Sequence, residues 1–330
     1  MKIAIVKLSA LGDIVHAMVA LQFIKAYDPT IQIDWIVEQG FAGVLENNPD
    51  INQILTVNLK SLKANRVGVF KQIKAIRQYA LNNYDLVIDA QGLIKSAVIA
   101  KLLGKRIAGF DANSIREKMA SWFYNDKFDC SFDTNAIVRN TFILSQPLGL
   151  EVALEQIINK KPCLFFVNED PIIDDFLQKE QKNIVLVIGS SWDSKNYPAD
   201  KFVKIALALQ QNCLVVWGSE QEKEKAIWMS TQADNIKAMP RLDFNSLKAL
   251  IAKADLLIGN DTGPTHMAWA LNKPSITIFG PTPVRMAFQT PINQVIKSPS
   301  LVNPFKLNKQ DDSIKDIDEN EIIKLANILL

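Results

Sequence analysis

The amino-acid sequence predicts an α/β protein built on two doubly wound parallel sheets. Three observations predict it. The chain has 330 residues, more than one ordinary core serves, because domains cluster at about 100–200 residues. Short β-rich apolar runs alternate with stretches of helical spacing from the first residue onward. The β-rich runs are apolar on both faces, as strands are when helices cover a parallel sheet on each side.

Taken in order, Lys2–Leu8 is a β-rich run, Gly12 and Asp13 make a turn, and Ile14–Tyr27 has helical spacing. Buried-strand candidates follow at Gln32–Val37, Ile54–Val57, Asp85–Asp89 and Arg106–Gly109, with helical stretches between them. Around Gln156–Asp174 the pattern breaks into a polar, Pro-containing stretch, INKKPCLFFVNEDP, and a second alternation begins. Its strands are expected at Asn183–Ile188, Cys213–Trp217, Asp255–Ile258 and Ser275–Phe279, and its helices at Ala199–Gln210, Glu220–Met229, Asn245–Ala254 and Pro264–Leu271. Residues 1–160 and 161–330 therefore read as two Rossmann-like domains, with a cleft expected between them. An amphipathic helix at residues 318–330 follows the acidic linker DDSIKDIDE and is expected to pack back across the first domain.

Composition narrows the function classes. With 48% hydrophobic and 22% charged residues the chain is globular, and a net charge of +2 argues against bulk electrostatic binding to nucleic acid. Cys130, Cys163 and Cys213 are odd in number and far apart, which fits neither a disulfide framework nor a zinc knuckle, so a reducing compartment is expected. No apolar run approaches the roughly 18–20 residues of a membrane span. Lys7, Asp13 and His16 interrupt the apolar start and no small-residue cleavage site follows, so a protein of the cytosol, at most peripheral to a membrane, is expected.

Doubly wound sheets bind ligands beyond the carboxyl ends of their strands, so the loops that follow strands carry the information. None contains Gly-x-Gly-x-x-Gly or Gly-x-x-x-x-Gly-Lys-Ser/Thr, which disfavours a dinucleotide fold and a P-loop nucleotidase. The first strand ends in Ser9-Ala10-Leu11-Gly12-Asp13. Asp13 is either a helix cap or a general base projecting from the mouth of the sheet, and His16, three residues on, is either a packed residue or its partner.

The second domain carries the sharper pattern, Gly259-Asn260-Asp261-Thr262-Gly263-Pro264-Thr265-His266. Thr262 can cap the helix, Gly263 lets a ligand approach the backbone, and Pro264 suits a first turn whose N–H groups are unpaired. A helix N-terminus beside an imidazole suits a diphosphate. Gly189–Pro198 adds Ser190, Ser191 and Lys195, suited to phosphate oxygens, and Trp217–Glu220 adds Glu220, suited to ribose hydroxyls. From Lys60 to Lys118 there are twelve Lys or Arg against four Asp or Glu. Such a run is either a solvated face or a local patch for an anionic ligand or an anionic membrane surface.

Five loops together, SALGD, DAQGLIKSA at Asp89–Ala97, SSWDSKNYP, WGSE and NDTGPTH, resemble those of the lipopolysaccharide heptosyltransferases over essentially the full chain. The resemblance implies a glycosyltransferase-B fold and an inverting transfer of L-glycero-D-manno-heptose from ADP-heptose to Kdo of Kdo-lipid A. DAQGL favours the enzyme that adds the first heptose; the enzyme that adds the second, or a non-catalytic nucleotide-sugar or lipid-surface binding protein, is the alternative. The resemblance further implies Asp13 as the base on the acceptor, Lys195 as the cation facing the leaving diphosphate, and Glu220 as the nucleoside contact. Ser190, Ser191, Asp261, Thr262, Gly263 and His266 complete the implied donor loop, and Gly12, Lys60, Lys63 and Arg116 fall where the acceptor is expected. With two His and no Asp-x-Asp at a strand end, no metal and no further cofactor are expected. A monomer on the cytoplasmic face of the inner membrane is the implied state.

Overall fold

In each half of the chain the first strand lies near the middle of a six-stranded parallel sheet. The computed structural model describes residues 1–59 and 66–330, with side chains from residue 68 in the second stretch. They form two compact units, Met1–Phe165 and Phe166–Leu330.

The first unit contains β1 (Lys2–Val6), α1 (Leu11–Tyr27), β2 (Gln32–Glu38), α2 (Ala42–Leu45), β3 (Gln53–Val57), α3 (Arg66–Ala80), β4 (Leu86–Asp89), α4 (Ile94–Leu103), β5 (Ile107–Phe110), β6 (Asp126–Phe128), α5 (Ala136–Ser145) and α6 (Leu154–Ile158). Its strand order is β3-β2-β1-β4-β5-β6. Right-handed crossovers put α1 and α2 on one face of this sheet and α3 and α4 on the other. Helix α1 is buried from Ile14 through Leu21, which is why it is apolar on nearly every side, and α5 packs against it.

The second unit contains α7 (Ile172–Phe176), β7 (Asn183–Val187), α8 (Ala199–Leu209), β8 (Asn212–Val216), α9 (Glu220–Ser230), β9 (Ile236–Ala238), α10 (Phe244–Lys253), β10 (Leu256–Asn260), α11 (Gly263–Ala270), β11 (Ser275–Phe279), β12 (Asn293–Lys297) and α12 (Glu319–Leu329). The order β12-β11-β10-β7-β8-β9 repeats that of the first unit, the doubly wound arrangement that reverses beside its first strand.

Register decides which loops become neighbours. Val6 of β1 pairs with Asp89 of β4, so the SALGD and DAQGL loops leave the sheet side by side. Val187 of β7 pairs with both Val216 and Gly259, which brings together the loops after β7, β8 and β10. Gly259 has no alternative there: a Cβ would stand 2.6 Å from Val187 Cβ and 2.6 Å from Thr265 Oγ1.

Three strands are absent from the sequence reading. β6 and β9 have 3 residues each, and β12, NQVIK, is an edge strand with only two apolar residues and no period-2 pattern. The terminal helix belongs to the second unit. Helix α12 buries Ile322 and Ala326 in the core of the second unit, where its Glu319 pairs with Lys204 at 2.7 Å and Lys201 at 3.4 Å on α8. The apolar faces of α12 and α8 thus satisfy each other. No helix among the described residues is long and apolar enough to cross a membrane.

Candidate functional site

In the second unit the site is organised by one buried carboxylate. Asp261 follows β10, and its Oδ2 lies 2.8 Å from Lys195 Nζ and accepts from Thr282 Oγ1 at 2.7 Å. Its Oδ1 lies 3.0 Å from His266 Nε2. An ionised carboxylate only accepts, so the imidazole facing it carries its proton on Nε2. Burial alone would push the Asp261 carboxyl up, but Lys195 and His266 outweigh it and hold the group well below the usual carboxylate range. Three loop residues, after β7, β10 and β11, and His266 of α11 are thereby locked into one polar cluster.

Neighbouring residues hold the loops in place. Asn260 accepts from Tyr197 N at 2.9 Å and donates to Ile188 O at 2.8 Å, tying β10 to the loop after β7. Thr265 Oγ1 donates to Asn260 O at 2.7 Å. Thr262 occupies the N-cap of α11 but its side chain makes no capping bond, so the expected cap is corrected, and Gly263 with Pro264 forms the first turn. Ser190 Oγ lies 2.7 Å from Asn196 Oδ1 and 2.9 Å from Trp192 O, which commits that hydroxyl to its own loop, whereas Ser191 is exposed. The ammonium groups of Lys195 and Lys309 lie 5.8 Å and 4.8 Å from the Trp192 ring centre.

Glu220 is exposed and pairs with Lys223 at 3.4 Å on the outside of α9. Glu222 instead reaches back over the loops: its Oε2 accepts from Gly218 N at 2.7 Å, and its carboxyl carbon lies 2.1 Å from where a Cβ on Gly189 would be. Ser219 caps the helix by accepting from Glu222 N at 3.3 Å. Ser219-x-x-Glu222 matches the capping-box spacing, a signal by which the sequence marks Glu222.

In the first unit Asp13 is the third residue of α1, half-buried, and its Oδ2 accepts from the backbone N–H of Ala10 at 3.2 Å. Gly12 precedes it. The loop is held from β4: Gln91 Oε1 accepts from Leu8 N at 3.0 Å and Ser9 N at 3.1 Å. Beneath it Lys7 is buried and donates to Ala90 O at 2.8 Å. Burial lowers the Lys7 pKa, and the nearby charges of Asp13 and Asp89 act against that shift. Asp89 itself is fully engaged, accepting from Gln91 N, Gly92 N, Ser96 Oγ and Tyr124 OH at 2.7–3.2 Å. Gly92 has φ of 70°, and a Cβ there would meet Ile115 Cγ2 at 2.7 Å. His16 is fully buried within α1.

Arg116 is exposed in the loop after β5, with its guanidinium 5.3 Å from the Phe132 ring centre. The backbone around it is held by Arg139, which donates to Ser114 O at 2.7 Å and Ser131 O at 2.5 Å. Lys60 and Lys63 lie outside the described residues. No group of three or more His, Cys, Asp or Glu among the described residues is arranged to hold a metal ion.

The family model described as glycosyltransferase family 9 (heptosyltransferase) matches residues 69–312. The chain belongs to that family. It is a glycosyltransferase, and its two sheets have the glycosyltransferase-B architecture. Over its whole length it is 37% identical to lipopolysaccharide heptosyltransferase 1 of Campylobacter coli, covering 99% of that protein. The structure of E. coli heptosyltransferase WaaC with ADP superposes at a TM-score of 0.76 with 25% identity, covering 99% of this chain and 97% of that one. The same protein with ADP-2-deoxy-2-fluoro heptose superposes at 0.79 with 24% identity and 99% of both chains covered, a likeness of fold.

Asn260, Thr282, Gln91, Lys7 and Glu222 are the structural additions to the residues given a site role from sequence. Thr282 follows β11 and Gln91 follows β4, so both stand in loops that the carboxyl-end rule directs attention to.

Proposed function

We propose that this family member transfers L-glycero-D-manno-heptose from ADP-heptose to Kdo of Kdo-lipid A, with inversion, and that Asp13 and Lys195 carry the chemistry. Full-length likeness to a heptosyltransferase 1 supports the choice of reaction. The observation that carries the donor half is the cluster of Lys195, Asp261, His266 and Thr282 at the start of α11, where backbone N–H groups are unpaired by the helix.

In the proposed reaction the acceptor hydroxyl gives its proton to the Asp13 carboxylate, and its oxygen attacks the anomeric carbon from the face opposite ADP. The bond from that carbon to the diphosphate breaks and ADP leaves with the electron pair. Lys195 and the first amides of α11 take up the charge that develops on the leaving diphosphate. Asp261 is a positioning residue: it keeps the Lys195 ammonium and the His266 ring oriented while the site is empty, and the diphosphate competes with it for Lys195. Glu222, rather than Glu220, is assigned to the nucleoside, because it lies over the loops after β7 and β8. Arg116, with Lys60 and Lys63, is assigned to the acceptor's negative groups. No metal takes part in this scheme, and the enzyme works as a monomer, peripherally bound at the cytoplasmic face of the inner membrane.

Incubation with ADP-heptose and Kdo-lipid A tests the reading. ADP release that requires Kdo-lipid A, with a heptose added to it, is the expected result. Release at the same rate without acceptor, or transfer only to an acceptor that already carries a heptose, would refute it.

A further inference from the structure

Helix α4 and the 3-10 turn Lys118–Phe123 pack against each other on one face of the first sheet, and α3 packs on the other side of α4. Ile94 N donates to Glu117 Oε2 at 2.7 Å, which fixes the turn to the start of α4. These elements bury one side in the unit. Their other side is unusually apolar for a surface facing water. Trp122 is 72% exposed and Met119 52%, and the two are three residues apart, so they project from the same side of a 3-10 turn. Ile94 and Val98, one helical turn apart, are exposed beside them on α4, and Phe70 is exposed on α3.

The charged side chains on these three segments are basic, with Glu117 just before the turn as the neighbouring carboxylate. Lys95 and Lys101 on α4, Lys118 in the turn, and Lys71, Lys74 and Arg77 on α3 are all exposed. None of the three segments contains an acidic residue. The basic excess noted in the sequence is therefore partly this face. An exposed Trp and Met among aliphatic side chains, surrounded by lysine and arginine, has the chemistry of a surface that settles into the headgroup region of an anionic membrane.

We propose that the face made by α4 and the Lys118–Phe123 turn, flanked by α3, docks this enzyme on an anionic lipid bilayer. Trp122, Met119, Ile94 and Val98 enter the boundary between headgroups and acyl chains, and the lysines meet lipid phosphates. Because no described helix spans a membrane, attachment is by this face lying on the surface. Arg116 is two residues from the docking turn, which places the residue assigned to acceptor charge at membrane level. The purpose given to the surface rests on the lipid-linked acceptor proposed above, but its test does not.

The experiment is co-sedimentation with vesicles of phosphatidylcholine alone and of phosphatidylcholine mixed with phosphatidylglycerol. The wild-type protein is expected to bind the mixed vesicles far better than the neutral ones and to lose binding as salt rises. Trp122→Ser with Met119→Ser should weaken partition about tenfold or more, and Lys95→Gln with Lys118→Gln should do so about tenfold with a shallower salt dependence. Both double variants should keep the wild-type melting temperature and full activity on a deacylated, water-soluble acceptor while losing rate on acceptor in vesicles. Wild-type protein that ignores the mixed vesicles, or variants that bind them as well as wild type, would overturn the proposal. So would self-association of the wild type that Trp122→Ser abolishes without any vesicle binding, because the face would then be an interface between copies. Wild-type inactivity on the soluble acceptor would instead count against the proposed reaction and leave the vesicle result standing.

Discussion

Replacing Asp261 by Asn isolates what the buried carboxylate does for Lys195. The two groups are 2.8 Å apart, and both residues are at most 8% exposed. Removing the negative partner leaves a buried ammonium without a counter-charge, and breaking a buried pair in this way costs about 3–5 kcal/mol. Asn retains an oxygen that accepts from Thr282 Oγ1, so the expected loss is at the low end, about 3 kcal/mol. For a unit of this size that corresponds to a fall in Tm of about 6–12 °C. ADP then acts differently on the two proteins. In the wild type its diphosphate competes with Asp261 for Lys195, whereas in Asp261→Asn it supplies the missing negative charge, so ADP raises the Tm of the variant more than that of the wild type.

The pH dependence follows from the same contacts. Burial raises the Asp261 carboxyl pKa, but Lys195 and His266 override that and depress it. A carboxyl depressed in the folded state contributes stability that is fully present above its unfolded pKa and is lost as pH falls through the folded one. The wild-type advantage over Asp261→Asn is therefore complete at neutral pH and shrinks as pH drops below about 4. Calorimetric melting of both proteins, with and without ADP and across that pH range, is the assay. Equal melting temperatures at pH 7, or an ADP shift no larger in the variant than in the wild type, would refute the reasoning.

Much of the fold was legible because its signals are local. Apolar runs such as Ile184–Val187 and Leu256–Gly259 can be covered on both faces only inside a parallel sheet, and each is followed by a loop that leads into a helix. The cluster of Lys195, Asp261 and His266 was legible for the same reason, since its residues come from the loops after β7 and β10 and from the helix that follows β10. What escaped depends on contacts between distant segments. Lys309 comes from a polar stretch after β12, and nothing near it in sequence points to the Trp192 ring. α12 carries an amphipathic face, but periodicity states only that the face needs a partner, and α8 is chosen by the packing. The choice between Glu220 and Glu222 turns on helix phase: the first residue of α9 projects outward, whereas the third reaches back over the N-terminus.

Four substitutions extend the test to single side chains. Lys195→Ala removes a charge-assisted phosphate contact of about 1.5–3 kcal/mol, so donor affinity or turnover should fall about tenfold or more in initial-rate kinetics, and unchanged kinetics would take Lys195 out of the site. Asp13→Asn keeps an oxygen for Ala10 N–H, and Asn serves a helix terminus about as well as Asp. Tm and ADP affinity should hold while kcat falls by about 10²–10⁴, and a near-normal kcat would end the role of base. The β8 loop is decided by comparing Glu222→Gln with Glu220→Gln. Gln at position 222 can still accept from Gly218 N–H, so the loop keeps its shape, but a carboxylate no longer meets the nucleoside hydroxyls. Hydrogen bonds to a charged group are worth about 1.5–3 kcal/mol, so ADP affinity measured by calorimetry should drop about 10- to 100-fold. Glu220 has an exposed side chain whose pairing with Lys223 at 3.4 Å is of the surface kind, so its replacement should leave ADP affinity within about twofold. The opposite ranking would return the nucleoside contact to Glu220 and would mean that α9 presents its outer first turn, rather than the side chain folded over Gly189, to the donor.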